Sequence, residues 1–204
     1  MSGENKKTGL DIMIVGVGGQ GTLLASRVIG NAAVQAGMDV KVSEVHGMSQ
    51  RGGSVETYVR VGESIASPLI DRGGADVVMC FEKLEALRFL PYLKPDGILI
   101  VNEQEIDPMP VITGVQQYPA DVMEQLRSRL GAGRVISLDA AAVALDCGDI
   151  RTVNVVLLGV LAGMQKAEIS REIWEHSVSS TVPVKALPVN LRAFEKGYER
   201  GVRK

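Results

Sequence analysis

Asp11-Ile-Met-Ile-Val-Gly-Val-Gly-Gly-Gln-Gly21 is the stretch of sequence that decides the fold. Its apolar beginning, Asp11 to Val15, is typical of a strand buried in a parallel sheet. Glycines follow, and apolar residues then recur at helical spacing from Gln20 to Gln35 until Gly37 ends the pattern. A strand, a glycine turn and a helix in this order predict the first half of a β-α-β unit, the building block of α/β proteins.

The next two strands are predicted from shorter patterns. Met38 to Val45 completes the β-α-β unit, which would place this strand parallel to the first and beside it. Residues 46–53 have the composition of a loop, and Ser54 to Val61 alternates polar and apolar residues as a half-exposed strand does. Gly62-Glu63 then predicts a turn into Ser64–Ser67, so that this excursion forms a β-hairpin.

The rest of the chain returns to the β/α alternation. The predicted elements are strands at Asp76–Phe81, Gly97–Asn102 and Arg134–Leu138 and helices at Glu82–Leu90 and Ala120–Leu130. From Ala140 onward the pattern indicates helices, with joints at Pro183 and Pro188. We predict a three-layer, Rossmann-like, mostly parallel α/β sheet with a β-hairpin excursion and C-terminal helices. Residues 9–204 form a single domain in this prediction, behind a disordered tail of residues 1–8.

Charge and hydropathy exclude two classes of partner. The 204 residues carry 22 Lys and Arg against 24 Asp and Glu, so a formal net charge of −2 leaves no basic excess to attract nucleic acid. The N-terminus is polar, and the longest apolar run, Val155 to Met164, has ten residues, too few to span a bilayer. We therefore expect a soluble, cytoplasmic protein with neither a nucleic-acid nor a membrane partner.

The chain has two cysteines, Cys80 and Cys147. Two are too few for a four-thiolate iron–sulfur cluster or a structural zinc site within this chain. Cys80 lies in the apolar run Asp76-Val-Val-Met-Cys-Phe81, where buried free thiols are common. Both thiols are predicted to be reduced and structural, with one intramolecular disulfide as the alternative.

The glycine turn is the first candidate binding site. Its G-x-G-x-x-G pattern, Gly16 to Gly21, permits a sharp turn and a close approach of the backbone to a ligand, and the free N–H groups of the following helix would face an anion. A dinucleotide site also needs an acidic residue for the ribose, and Glu44 lies 23 residues after Gly21. The alternative is a tight β/α turn that binds nothing.

The loop after the second predicted strand is the other candidate. If the first two strands are parallel neighbours, their C-terminal ends bring this loop beside the glycine turn. Arg51 can hold a phosphate or a carboxylate through two parallel hydrogen bonds, although a solvated turn is the alternative. No residue is assigned to catalysis or to a metal. The predicted cofactor-binding residues are Gly16, Gly18, Gly19, Gln20, Gly21, Thr22, His46, Ser49, Gln50, Arg51, Gly52 and Gly53.

Three other polar residues have structural interpretations. Asn154, inside an apolar helix, is predicted to bond to a neighbouring loop, either for structure or to help close a site. Asp139 stands where a helix N-cap is expected. His176 lies in a helical pattern and is predicted to be a surface or capping residue.

Three segments together resemble a known family. They are Gly16-Val-Gly-Gly-Gln-Gly-Thr22, Ser43-Glu-Val-His-Gly-Met-Ser-Gln-Arg-Gly-Gly-Ser-Val55 and Asn154-Val-Val-Leu-Leu-Gly159. On these motifs the chain resembles the gamma-type domain of 2-oxoacid:ferredoxin oxidoreductases over about residues 9 to 200. Within that family, which includes the pyruvate/ketoisovalerate enzymes, the resemblance is to the beta subunits of the indolepyruvate branch.

The resemblance implies a subunit of an enzyme that decarboxylates an aryl 2-oxoacid oxidatively to an acyl-coenzyme A and passes the electrons to ferredoxin. It implies that thiamine diphosphate and [4Fe–4S] clusters lie on a larger catalytic partner chain, and this sequence has no Gly-Asp-Gly thiamine signature and no cysteine cluster. Coenzyme A becomes a candidate ligand of the two glycine loops. The isolated chain is expected to bind no cofactor tightly, to be inactive and to be able to form a dimer.

Two other functions stay open on the residues alone. The first is a stand-alone nicotinamide- or flavin-dependent oxidoreductase with a dinucleotide site at the glycine turn. It depends on Glu44 as the residue that binds the ribose. The hairpin after Gly53 counts against it, because it interrupts the β-α-β-α-β order of a mononucleotide-binding half. The second is a non-catalytic assembly subunit whose glycine loops pack against a partner.

Overall fold

A computed structural model describes residues 9–47 and 53–203. The strands are β1 (Leu10–Val17), β2 (Asp39–His46), β3 (Ser54–Gly62), β4 (Ala75–Cys80), β5 (Leu93–Asn102) and β6 (Val135–Leu138). The helices are α1 (Thr22–Gln35), α2 (Lys83–Phe89), α3 (Met109–Ile112), α4 (Val122–Leu130), α5 (Ala140–Cys147), α6 (Val153–Gly163), α7 (Arg171–Thr181) and α8 (Leu187–Val202). The α/β order and the C-terminal helices agree with the prediction, apart from the short α3 and an earlier start of β5.

The strands form one sheet in the order β2-β3-β1-β4-β5-β6. β1, β4, β5 and β6 are parallel, whereas β3 runs antiparallel to both of its neighbours, β1 and β2. The predicted mostly parallel α/β sheet is therefore confirmed. The predicted pairing of the first two strands is wrong, because β3 lies between them.

The position of β3 follows from its burial. The alternation in Ser54–Val61 predicted a strand with one exposed face, yet Thr57, Val59 and Tyr58 are all buried, and Tyr58 belongs to the opposite face from the other two. A strand covered on both faces fits the interior of a sheet better than its edge. The half-exposed edge strand is instead β2, in which no residue is fully buried.

The β-hairpin has a different partner strand from the predicted one. Ser64–Ser67 forms no strand, and β3 pairs with β2 through the preceding loop, with His46 opposite Val55. The segment after β3 instead turns back to the start of β2, where the Ile65 N–H donates to Asp39 Oδ2 at 2.8 Å. The chain after Gly62-Glu63 therefore does not form a second hairpin strand. The hydrogen bond from the Ile65 main chain to the Asp39 side chain holds it against β2 instead.

Two hydrophobic cores lie on the two faces of the sheet. One contains side chains of α1, α5, α6, α7 and α8, and the other contains those of α2 and α4. Almost the whole of α6 is buried, which explains its unbroken apolar run. Within the described ranges, no helix is long and apolar enough to cross a membrane.

The two cysteines are free and buried, as predicted. Cys80 is the last residue of β4 and is fully enclosed. Burial raises the pKa of the Cys80 thiol well above its ordinary value, and the nearby Glu85 and Glu82 raise it further. Because the thiolate is the reactive form, Cys80 is a packing residue and not a nucleophile.

Alkylation tests this assignment. In a Cys147→Ser variant, Cys80 is the remaining thiol. We expect iodoacetamide to leave it unmodified in the native protein at pH 8 and to alkylate it fully in urea, as measured by intact-mass spectrometry. Rapid alkylation of the native protein would contradict the assignment.

Candidate functional site

The candidate site lies outside the carboxyl ends of β1 and β4. From β1 the chain passes through α1 to the β2 side of the sheet, whereas β4 lies on the other side of β1. At such a switch point the connections of the two strands diverge and leave a crevice, the usual ligand position in open α/β sheets. The two strand ends are joined by the Phe81 N–H, which donates to the Val15 carbonyl oxygen at 2.8 Å.

The glycines of the turn have different functions. A Cβ on Gly16 would lie 2.9 Å from Phe81 Cβ, and a Cβ on Gly21 would lie 2.6 Å from Asn154 Nδ2, so both positions need the absence of a side chain for packing. Gly19 is exposed, has a φ of +104°, and would place a Cβ in open space. Gly19 is therefore the position at which a ligand could approach the backbone.

The N-terminus of α1 opens into the same crevice. Gly21 is the N-cap, with a φ of +85°, and no side chain among the residues that the structure describes caps the helix there. The N–H groups of the first turn, which begins at Thr22, have no partner within the helix, and no acidic side chain lies in that turn. The helix dipole adds positive potential at this end, which favours an anion.

Gln20 holds the turn in place. Its Oε1 accepts from the Val17 N–H at 2.7 Å, and its Nε2 donates to the Phe81 carbonyl oxygen at 2.9 Å and to Gln104 Oε1 at 3.1 Å. One amide side chain thus bridges the ends of β1 and β4 and the residues that follow β5. The shape of the turn is set before any ligand binds.

Asn154 contacts the glycine turn from the start of α6. Its Nδ2 donates to the Gly21 carbonyl oxygen at 3.4 Å, and its Oδ1 accepts from the Val155 N–H at 2.9 Å. The predicted bond between this amide and a loop is therefore confirmed. The predicted N-cap is also present, because Asp139 Oδ1 accepts from the Ala142 N–H at 2.8 Å, and His176 is exposed as expected.

The structure brings the second loop to the glycine turn at Gly53. The Gly18 N–H donates to the Gly53 carbonyl oxygen at 2.9 Å, and Val17 pairs with Ser54 at the start of β3. Gly53 is thus adjacent to the glycine turn because β3, and not β2, lies beside β1. The other predicted loop residues, Ser49, Gln50, Arg51 and Gly52, lie outside the described residues.

His46 and Glu44 lie on β2, one strand farther from the glycine turn than β3. His46 Nε2 is 2.5 Å from Glu44 Oε1, and Glu44 Oε2 accepts from the Thr57 hydroxyl. Both belong to β2, which is separated from β1 by β3 and so lies about 9.5 Å from it, two strand spacings. The expectation that the strand carrying Glu44 lies beside β1 is wrong, and the dinucleotide interpretation loses its acidic residue.

Gln104, Arg151 and Lys185 border the crevice and were missed from the sequence. A cavity of about 330 Å³ is bordered by the glycine turn, Asn154, Gln104 and Arg151. A second cavity of about 480 Å³ shares Arg151 and Asn154 and adds Lys185. Arg151 Nη2 lies 2.6 Å from Asp149 Oδ2 in an ion pair. The hydrogen bond from this guanidinium lowers the pKa of the Asp149 carboxyl group to about 2. The crevice therefore has amides beside the turn and cations farther out.

Two buried carboxyl groups lie behind the crevice at α2. Glu82, which is 1% exposed, caps α2 by accepting from the Glu85 N–H at 3.0 Å. Glu85 in turn accepts from the Ser54 hydroxyl at 2.5 Å and ties the start of β3 to α2. Within 9–47 and 53–203, no three His, Cys, Asp or Glu side chains are grouped as a metal site would require.

Comparison with known proteins agrees with this architecture. Residues 11–200 match the family described as pyruvate ferredoxin/flavodoxin oxidoreductase. The chain is 43% identical over 190 residues to the indolepyruvate oxidoreductase subunit IorB of Thermococcus kodakarensis, covering 93% of this chain and 94% of the relative.

Two solved structures share the fold. The pyruvate oxidoreductase subunit PORC of Thermotoga maritima has a TM-score of 0.71 at 25% identity, over 95% of this chain and 97% of that one. The 2-oxoglutarate:ferredoxin oxidoreductase of Magnetococcus marinus also has a TM-score of 0.71, at 21% identity, and the match spans 98% of this chain but 32% of that one. The family resemblance inferred from the glycine loops is confirmed: the chain belongs to the pyruvate ferredoxin/flavodoxin oxidoreductase family.

Proposed function

We propose that this chain is the small subunit of a 2-oxoacid:ferredoxin oxidoreductase that acts on an aryl 2-oxoacid, with indolepyruvate as the first candidate. The observation that carries the proposal is the 43% identity, over 93% of the chain, to a subunit named for indolepyruvate oxidation. The described crevice adds support from its chemistry. The side chains at the glycine turn, Gln20, Gln104 and Asn154, are amides, which position ligands but do not exchange protons near neutral pH.

The organic and redox chemistry is proposed to take place on a larger partner chain. Thiamine diphosphate, when bound there, would supply the carbanion chemistry of decarboxylation, and [4Fe–4S] clusters would carry the electrons to ferredoxin. The residues of this chain do not fit a cluster, because Cys80 and Cys147 are both buried and are two in number. The isolated chain would accordingly be inactive.

Coenzyme A is the proposed ligand of the crevice. Its phosphates suit the N-terminus of α1, the exposed backbone at Gly19 and the guanidinium of Arg151. Arg51, assigned from the sequence, would supply a second guanidinium. The Magnetococcus enzyme was solved with coenzyme A bound, which supports the choice of ligand but not its position on this chain.

Calorimetric titration of the heteromer with coenzyme A tests this contact. We expect Arg51→Ala or Gly19→Val to weaken binding by about 1.5–3 kcal/mol, roughly ten- to hundredfold, through loss of a charged bidentate contact or of the left-handed backbone. Arg129→Ala, on α4, is the matched control and should bind as the wild type does.

Unchanged binding in both variants would overturn the coenzyme A contact. It would favour a purely structural function of the turn, which has its own support. Gln20 and Gly18 already bond the turn to Phe81 and Gly53, so the loops could serve assembly alone.

A further inference from the structure

We propose that residues 103–121, here called the β5–α4 arm, dock into an apolar socket with a basic rim on the larger oxidoreductase chain. This inference rests on the proposed function, because the partner is the larger chain assigned there. The arm begins after the carboxyl end of β5, contains α3, and ends where α4 starts to pack on one face of the sheet.

The arm presents apolar side chains that the fold does not use. Met109 and Ile112 are each 65% exposed, and Val115 is 78% exposed. The helix that carries the first two, α3, buries none of its residues. Single exposed apolar residues are common, but three within seven positions on one small projection are typical of a contact surface.

The exposed segment has a fixed conformation. Pro108 and Pro110 limit the backbone at the start of α3, and the Val115 and Gln116 N–H groups both donate to the Pro110 carbonyl oxygen at 2.9 Å. The Thr113 hydroxyl also donates to the Met109 carbonyl oxygen at 2.9 Å. A surface ordered in advance loses less conformational entropy when it binds, so local order without burial suits a docking element.

Both ends of the arm are attached to one buried side chain. Glu82 Oε1 accepts from the Ile106 N–H at 3.3 Å and from the Tyr118 hydroxyl at 2.5 Å. Burial raises the pKa of the Tyr118 phenol, and the hydrogen bond to Glu82 raises it further, so the phenol remains a donor at any physiological pH. The exposed middle therefore projects from a rigid base.

The charge of the arm defines the kind of partner. Residues 103–121 contain four acidic residues, Glu103, Glu105, Asp107 and Asp121, and no Lys or Arg. Glu105 pairs with Lys83 and Glu103 lies 3.9 Å from Arg127, but Asp107 has no ion pair among the residues the structure describes. An acidic surface around an apolar centre is complementary to an apolar socket with Lys or Arg at its rim.

The arm is also continuous with the candidate site. Gln104, at its beginning, accepts from Gln20 Nε2 at 3.1 Å and thus contacts the glycine turn directly. A chain seated on the arm would lie at the edge of the crevice, where a catalytic partner must meet a ligand held by this subunit. This continuity favours the larger chain of the same enzyme over an unrelated partner.

Co-expression with the larger chain of the same organism tests the inference. The variant is Ile112→Asp with Val115→Asp, and the matched control is Leu69→Asp, which changes a 57% exposed residue in the connection between β3 and β4, at the amino ends of the parallel strands and thus away from the arm. We expect the wild type and the control to elute as a heteromer with the larger chain, and the double variant to bind it at least about tenfold more weakly. The isolated double variant should melt at the wild-type temperature, since neither side chain is buried.

A charge variant tests the partner's chemistry. Asp107→Lys should slow association with the larger chain, and the difference from the wild type should shrink as salt is raised.

Each other outcome is decisive. Wild-type affinity in the double variant would overturn the inference alone, whereas failure of the wild type to assemble would overturn the proposed function and the inference with it. If the isolated wild type is a dimer that the double variant converts to a monomer, the arm binds a second copy of this chain and the inference is wrong.

Discussion

Replacing Gly159 or Gly197 by alanine should prevent native folding or lower the free energy of unfolding by about 3 kcal/mol or more. The reason is the crossing of α6 and α8, which brings the two helix backbones into contact. A Cβ on Gly159 would lie 2.2 Å from the Phe194 carbonyl oxygen, and a Cβ on Gly197 would lie 2.0 Å from the Val156 carbonyl oxygen. Backbone oxygens on two packed helices cannot move aside as a flexible side chain can, so the helices must separate.

Urea denaturation followed by circular dichroism gives the measurement. Gly30→Ala is the matched control, because Gly30 also lies within a helix, α1, but a Cβ there would meet nothing within 4 Å. The control should be stabilised by about 0.5–1 kcal/mol, the usual gain for alanine over glycine in a helix. A Gly159→Ala protein with the wild-type urea midpoint would show that the close crossing of α6 and α8 is dispensable.

The helix crossing also matters for the candidate site. Asn154, at the start of α6, bonds to Gly21, and a Cβ on Gly21 would meet that amide at 2.6 Å. Displacement of α6 by α8 would therefore be transmitted to the glycine turn 133 residues earlier in the sequence. The C-terminal region therefore shapes the candidate site through packing, and it also supplies much of the lining of both cavities, Arg151 and Asn154 included.

The sequence predicted the elements that local patterns specify. The apolar run of β1, the glycines after it and the helical spacing of α1 each depend on neighbouring residues, and all three were placed within a few positions. The order of the strands was not predictable in this way. β3 could pair with any strand that its backbone reaches, and an alternating pattern does not reveal that Thr57 and Tyr58 are covered on opposite faces.

The same distinction applies to the site. The glycine turn carries its own signal, so Gln20 and Gly19 could be assigned to the candidate site from the motif. Arg151 was missed because it meets the turn only through the long-range packing of α6. Gln104 had a usable signal, since it follows the carboxyl end of a predicted parallel strand, the position at which site residues of α/β proteins concentrate.

Replacing Glu82 by alanine should lower the free energy of unfolding by at least about 3 kcal/mol, because its carboxyl group accepts three hydrogen bonds in a buried position. The donors are the N–H groups of Glu85 and Ile106 and the hydroxyl of Tyr118. The first bond caps α2, and the other two attach both ends of the β5–α4 arm. Without the carboxyl group these donors lose their acceptor where little water can replace it.

The Asp139→Ala variant separates the two contributions of Glu82, the capping of α2 and the attachment of the β5–α4 arm. Asp139 is also an N-cap, accepting from the Ala142 N–H at the start of α5, but within residues 9–47 and 53–203 its carboxyl group bonds to no second segment. Its loss should cost about 1 kcal/mol, the usual value of a cap, so the excess measured for Glu82→Ala is the contribution of the arm. Hydrogen exchange should then accelerate at Ile106 in Glu82→Ala and stay unchanged there in Asp139→Ala. Equal destabilisation by the two variants would mean that Glu82 acts as a cap only, and that the arm is held by other contacts.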